Sequence, residues 1–332
     1  MTVLKCAVIG VGHLGRYHAQ KYQTLANAKL VAVCDTNRAT CEAISKELQV
    51  PAFFNHRDLF GKVDAVSIAA TTNAHYEIAK DCLSQGIHVL LEKPIAETVE
   101  QADELIALAR HSQAKLQVGH LERFNAAHMA LNNYLEQPFF IESHRLSPFT
   151  TRSADVNVVL DLMIHDIDLI QTMVKSPVVK IEAKGTSLVS PLIDVAHVRL
   201  TFQNQCIANI TANRVSAKPE RKTKILQPNA YITVDYHLKQ LTLLKKEPCQ
   251  VVFPNTPEVI QHHMTYEDSD ALLEEIKAFL ACIENNTTPV ITGEDGRDAM
   301  LVASEITALI HHHLETVVFP LDPKKIVTTT HG

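Results

Sequence analysis

The sequence predicts an α/β protein: a doubly wound parallel sheet over residues 1–119, then an α+β domain with an open, mostly antiparallel sheet over 120–332. Three observations carry this. Apolar runs alternate with helical patterns through the first 119 residues, and after His120 strands follow one another directly. The chain also has 332 residues, 46% of them hydrophobic, too many for one ordinary core.

The first half reads in order. LKCAVIG (4–10) is a buried strand ending in Gly, and residues 14–26 have helical spacing. KLVAVCD (29–35) is the second strand and Arg38–Leu48 the next helix. VDAVSIAA (63–70), a helix from Ala74 to Ser84, and GIHVLLE (86–92) follow. Thr98 caps a helix to Arg110 with Glu100 and Asp103 in its first turns, and KLQVGH (115–120) closes the series. Beyond it, Phe124–Leu135 and Val156–Val174 read as helices, with PFFIESHRLS (138–147) a strand between them. Six further strand patterns lead to two last helices, 268–284 and 294–314.

Composition limits the function. The net charge is −6, from 31 basic and 37 acidic residues, which argues against nucleic acid or an anionic membrane as partner. No run approaches the roughly 18 apolar residues of a membrane helix. The start, MTVLKCAVIG, has no cationic leader pattern. The 7 cysteines form no CxxC pair and read as reduced thiols. The expectation is a cytoplasmic protein. A metal site is not expected, since His311–His313 fan around a helix and His262 and His263 have no neighbouring ligand set.

CAVIGVGHLG gives G-x-G-x-x-G at Gly10, Gly12 and Gly15 between a strand and a helix. Gly10 permits the turn, Gly12 the approach of a pyrophosphate, and Gly15 close helix packing, with His13 and Leu14 opening the helix that faces the anion. Asp35, 20 residues after Gly15, is placed to accept from ribose hydroxyls. The first domain is therefore Rossmann-type. Asp35 repels a 2′-phosphate and favours NAD over NADP, while Arg38 nearby is the residue that would favour NADP.

The chemistry is expected in two places. HVLLEKPIAE (88–97) puts Glu92, Lys93 and Pro94 at the carboxyl end of a parallel strand, where ligands bind. Lys93 can stabilise a developing alkoxide, with Glu92 holding the ammonium, and the Lys93–Pro94 bond is a candidate for the cis form. In VVLDLMIHDIDLIQ, Asp161 and His165 are four apart and share a helix face, with Asp168 near the same stripe and Asp166 elsewhere. A neutral His can take a hydroxyl proton, and a neighbouring carboxylate can raise its basicity or grip another substrate hydroxyl. A helix with solvated acids and one structural His is the alternative.

Together GVGHLG (10–15), Asp35, ATTNAHYEIA (70–79), LEKP (91–94), QVGHLERFN (117–125) and DLMIH (161–165) resemble the Gfo/Idh/MocA oxidoreductase family over essentially the whole chain. The resemblance implies NAD-dependent hydride transfer from a CH–OH group. It gives Lys93 and His165 as catalytic residues and Asp161 on a substrate hydroxyl. Thr71, Asn73, His75, Glu92 and Arg123 would line the cofactor or active-site crevice, and the sheet of the second domain would pair into homodimers or homotetramers. His120 and Glu122 depart from the residues many members carry, Asn or Arg, which disfavours a free polyol.

The stretch SHRLSPFTTRSADVNVVLDLMIHDIDLI (143–170) is similar to the branch that oxidises C3 of UDP-N-acetylglucosamine. This implies a nucleotide-sugar substrate and a pathway aminotransferase as partner, supplying an envelope glycolipid such as lipid A. Arg145, Arg152, Arg214, Arg221, Lys222 and Lys224 are the cations offered for its diphosphate. A dehydrogenase of another sugar or of inositol, and a non-catalytic dinucleotide-binding regulator, are the rival readings.

Overall fold

The computed structural model describes residues 3–150, 156–246, 259–266 and 269–316. The first sheet is built from β1 (Leu4–Ile9), β2 (Ala28–Cys34), β3 (Ala52–Phe53), β4 (Ala65–Ile68), β5 (His88–Glu92) and β6 (Leu116–Gly119). The strands are parallel in the order β3-β2-β1-β4-β5-β6. Their apolar runs are buried on both faces because α1 (His13–Thr24), α2 (Arg38–Leu48), α3 (Thr72–Ser84) and α4 (Val99–Ser112) cover the two sides. The winding reverses between β1 and β4, so the ligand crevice opens at their carboxyl ends. Thr98 does cap α4: it accepts from the Gln101 N–H, and Gln101 reaches back in a capping box. The two-residue β3 was not legible in the sequence pattern, being too short to show a period.

After β6 two expectations need correcting. The helix expected over Phe124–Leu135 is a 3₁₀ turn at Leu121–Phe124 followed by the short α5 (Ala126–Leu131). Asn125 separates them, its side chain accepting from Ala127 N–H as a new cap. The helix expected over Val156–Val174 starts as a π turn at Val159–Met163 and continues as α6 (Ile164–Val174). Such widened turns are rare and concentrate at functional sites.

The second sheet holds β7 (Phe140–Leu146), β8 (Val178–Thr186), β9 (Val195–Phe202), β10 (Ile207–Asn213), β11 (Glu220–Gln227), β12 (Ala230–Asp235), β13 (Gln240–Lys246) and β14 (Val259–Thr265). Its order is β14-β13-β12-β11-β7-β10-β9-β8, antiparallel except for the β7–β10 pair. Burial alternates along β7, β9 and β10, so one face packs on α6 and on α8 (Gly293–Thr316). No helix among the described residues is long and apolar enough to cross a membrane.

A linear boundary at 119/120 does not divide the cores. Leu272, Ile276, Phe279 and Leu280 of α7 (Ala271–Glu284) pack with Cys6, Val8, Tyr22 and Leu90 of the first domain. Ile291 and Met300 join its other face. The chain completes the second sheet and then returns to close the first, an order that apolar periodicity cannot reveal. Phe279→Ala is therefore expected to destabilise the nucleotide-binding domain by about 3–5 kcal/mol, read as a lower denaturant midpoint; an unchanged midpoint would show that α7 is peripheral.

Candidate active site

The glycine turn has the geometry that its spacing implies. Gly10 has φ +82, and a Cβ there would lie 2.5 Å from the Ala70 N, against the end of β4. A Cβ on Gly15 would lie 1.8 Å from the Gly10 carbonyl oxygen, so only Gly lets α1 approach β1 this closely. Gly12 precedes α1 with open space before it and no side-chain cap, leaving backbone donors at the helix start available to an anion. Leu14 is half-buried, while His13 is exposed and stacks edge-on against Tyr17 at 5.1 Å.

A cleft of about 510 Å³ runs from this turn over the ends of β1, β2 and β4, lined by Gly10, Gly12, Asp35, Phe54, His56 and Thr71 among others. Asp35 Oδ2 accepts from Val11 N–H and Oδ1 from Asn37 N–H, each at 2.8 Å. Each oxygen keeps a further lone pair for a ribose hydroxyl. Arg38 stacks on the Phe54 ring, 4.2 Å from its centroid, at the same end. Thr71 stands just before α3 and donates its hydroxyl to Asn73 Oδ1 at 2.6 Å instead of capping the helix. These residues fit a dinucleotide.

Lys93 follows β5, the neighbour of β4, and its peptide bond to Pro94 is cis. The partner expected for its ammonium was Glu92; the structure gives it Asp161 instead. Lys93 Nζ donates to the Asp161 carbonyl at 2.9 Å and lies 3.7 Å from Oδ1. Glu92 faces the other way, its Oε1 2.9 Å from His18 Nε2. Glu92 is the last residue of β5 and the chain leaves the strand at Lys93, so the two side chains are not held to one face. Burial pushes the Lys93 ammonium below its usual range, while Asp161 and Glu92 pull it up.

His165 stands on the first turn of α6, one turn beyond Asp161, with Nδ1 buried and unpartnered. Burial, then the charges of Lys93 and Arg145, hold it well below the ordinary histidine value. The expectation that a carboxylate would raise its basicity is thus corrected. The charges that bear most on this imidazole are cationic, because Asp161 is engaged by Lys93. His165 is therefore neutral near pH 7, a form that can accept a proton.

Other expected site residues prove to be struts. His75 is buried, Nδ1 2.8 Å from the Pro94 carbonyl and Nε2 3.0 Å from that of Ala70, so it braces the turn rather than lining the crevice. Arg123 does not line the cleft either: it grips Asp168 in a bidentate pair at 2.8 and 2.5 Å and lies 3.4 Å from Asp295. Arg145 is buried on Asp166 at 2.6 Å and Arg214 on Asp194 at 2.7 Å, which removes both from the diphosphate candidates. Lys222 and Lys224 pair with Asp235 and Glu142, each at 3.2 Å. Arg221 is 47% exposed beside Glu122 at 3.4 Å, and its charge reaches His165. Arg152 lies outside the described residues.

The departures His120 and Glu122 gain a place. His120 is buried with Nδ1 3.9 Å from Asp168, and Glu122 Oε1 sits between Arg145 and Arg221 at 3.5 and 3.4 Å. Sequence reasoning missed Glu122 as the shared counter-ion. Only the pairing of β7 with β11, which sets Arg145 beside Arg221, brings the two arginines together.

A model described as an oxidoreductase family with an NAD-binding Rossmann fold matches residues 4–120, and one for the GFO/IDH/MocA C-terminal domain matches 109–233. The chain belongs to the Gfo/Idh/MocA family. Its relatives include the UDP-N-acetylglucosamine 3-dehydrogenase of Acidithiobacillus ferrooxidans, 34% identical over 95% of this chain and 100% of that protein. The myo-inositol 2-dehydrogenase of Thermotoga maritima is 24% identical over 90% of this chain and 94% of that one. The solved Acidithiobacillus structure matches with a TM-score of 0.89 at 34% identity, covering 95% and 100% of the two chains. The scyllo-inositol dehydrogenase of Lactobacillus casei, solved with NAD(H) and scyllo-inositol, matches with 0.78 at 23% identity over 94% and 98%, a likeness of fold. This family member is an oxidoreductase acting on CH–OH groups, of the sugar-dehydrogenase type, with an NAD-binding first domain.

Asp35→Ala is expected to weaken NAD binding about 10- to 100-fold, the worth of hydrogen bonds to a charged acceptor. Isothermal titration checks it, and unchanged affinity would remove Asp35 from the site.

Proposed function

We propose that the protein oxidises the C3 hydroxyl of UDP-N-acetylglucosamine, or of a closely related nucleotide sugar, to the ketone. The observation that carries this reading is a tethered ammonium at the end of β5 whose charge bears on a neutral imidazole of α6, in a chain 34% identical to a UDP-N-acetylglucosamine 3-dehydrogenase over 95% of its length. A bound nicotinamide would supply the acceptor for the hydride that leaves the carbinol carbon. The His165 imidazole takes the hydroxyl proton as the carbonyl forms. Lys93 faces the same oxygen and stabilises its developing negative charge. Asp161 keeps that ammonium in position through its carbonyl, and its half-buried carboxylate retains acceptor capacity for a second sugar hydroxyl. Asp35 argues for NAD as the working cofactor, with NADP the alternative because Arg38 stands at the same end of the cleft.

Of the cations first offered for the diphosphate, Arg221 is the one we assign, being exposed and electrostatically joined to the catalytic histidine. The 3-keto product is a substrate for an aminotransferase, which would place the enzyme in amino-sugar synthesis for an envelope glycolipid in the cytoplasm. The uncovered face of the second sheet is the surface we propose for a homodimer or homotetramer. The second reading, an inositol-type dehydrogenase, is favoured by the relatives of that activity.

Following NAD reduction by absorbance across UDP-N-acetylglucosamine, other nucleotide sugars, free sugars and inositols separates the two. Turnover with inositol and none with UDP-N-acetylglucosamine would overturn the proposal. Lys93→Ala is expected to lower kcat about 10²–10³-fold and His165→Ala about 10²–10⁴-fold, with NAD affinity retained. Unchanged kcat in either removes that residue from the chemistry. Because His165 is held below its ordinary value, kcat/KM stays flat as pH falls through about 6.5 and drops only below it. A midpoint above that value would contradict the assignment. Arg221→Ala is expected to raise KM for the nucleotide sugar and leave KM for NAD unchanged.

A further inference from the structure

Behind the catalytic ammonium lies a polar cluster that the reaction does not use. His18 of α1, Glu92 of β5 and Glu275 of α7 each bring one side-chain atom within 4.8 Å of the others, and all three residues are buried. Glu275 is 0% exposed, and neither carboxyl oxygen has a hydrogen-bond partner. Gln117 of β6 donates to the Glu275 main-chain carbonyl at 3.2 Å, with its own Oε1 unpartnered. Around them, Tyr22 of α1 shares its hydroxyl with Ser67 at 2.8 Å. Glu122 and Arg123 of the neighbouring 3₁₀ turn are committed to Arg145, Arg221 and Asp168. Lys93 is on Asp161. No free cation faces the pair of acids among the described residues.

Two ionised carboxylates this close in a dry interior repel strongly, and one of them keeps its proton. Burial and then the charge of Glu92 hold Glu275 well above the usual carboxyl range. The 2.9 Å between His18 Nε2 and Glu92 Oε1 is a hydrogen-bond length, which favours a proton over an ion between them.

We propose that the Glu92–Glu275 pair holds one proton between its two carboxyl groups, with Glu275 the neutral acid, so that His18, Glu92 and Glu275 lock the end of β5 and thereby position Lys93. Glu275 is a positioning residue, acting through Glu92. With the pair's one proton on Glu275, Glu92 stays anionic, and that charge supports the ammonium one residue further on. This explains why a helix from the end of the chain returns to the first sheet with an acid on its buried face.

The role of the lock rests on Lys93 being catalytic; the proton sharing does not. Glu275→Gln keeps a neutral head that can donate to Glu92, whereas Glu275→Ala removes it. A carboxyl raised in the folded state favours folding most below its unfolded value, about 4.3, and that contribution is lost as pH rises toward the folded value. Wild type should therefore lose thermal stability relative to E275Q as pH rises from about 5 to 8. Its infrared spectrum should contain a neutral carboxylic-acid carbonyl band that E275Q lacks. In turnover, E275Q keeps kcat and the alkaline limb of kcat/KM. E275A lowers kcat about tenfold and moves that limb to lower pH, with KM for NAD unchanged.

The absence of the infrared band, or a pH-independent stability difference, overturns the shared proton. So does a stoichiometric divalent ion in the wild-type protein that E275Q lacks. If band and stability behave as stated but the E275A limb does not move, the positioning role falls. Lys93→Ala still tests the catalytic assignment separately.

Discussion

The ammonium of Lys93 reaching the main-chain carbonyl of Asp161 at 2.9 Å is the contact on which the site depends. It joins the end of a strand in the nucleotide-binding sheet to a π turn in the second domain. A lysine in this position is largely out of water, which lowers its affinity for its own proton. The carbonyl and the nearby carboxylate compensate enough to keep the charge in place. What results is an oriented cation just past the end of β5, held by the π turn, and in the proposed mechanism it is this cation that meets the oxygen gaining negative charge.

The fields at His165 and Lys93 complement each other. In the proposed mechanism the base has to start neutral, and burial together with the charges of Lys93 and Arg145 favours the neutral imidazole of His165. The buried arginines contribute as fixed parts of the scaffold. Arg123, Arg145 and Arg214 each sit on a carboxylate, so that moving one would leave a buried charge unpaired. Arg123–Asp168 and Arg145–Asp166 both grip α6, and so hold the helix that carries the imidazole.

Much of this was legible in the sequence. Gly10, Gly12 and Gly15 announce themselves because a tight turn at a helix start tolerates few residues, and the structure shows close approach at Gly10 and Gly15 and open space at Gly12; Asp35 was legible from its distance along the chain. Lys93 and His165 were visible as charged or titratable groups at the end of a strand and on a helix. Their partners were not. Glu92 was matched to Lys93 because they are adjacent, yet the strand ends between them, and the real neighbour of Glu92, His18, is 74 residues away. Arg145 and Arg214 looked like ligands for phosphate, and Arg123 like a residue of the crevice, because a sequence does not show whether an arginine is buried. The return of α7 to the first sheet was hidden for the same reason: an amphipathic pattern tells that a face is covered and leaves open by what.

The central claim is that Lys93 and His165 act on one oxygen. A crystal structure of the protein with NAD and UDP-N-acetylglucosamine tests it most directly. The account predicts the Lys93 Nζ and the His165 imidazole both within hydrogen-bond reach of the sugar's C3 hydroxyl, with that carbon facing the nicotinamide. A sugar seated with either side chain turned to a different surface would contradict it.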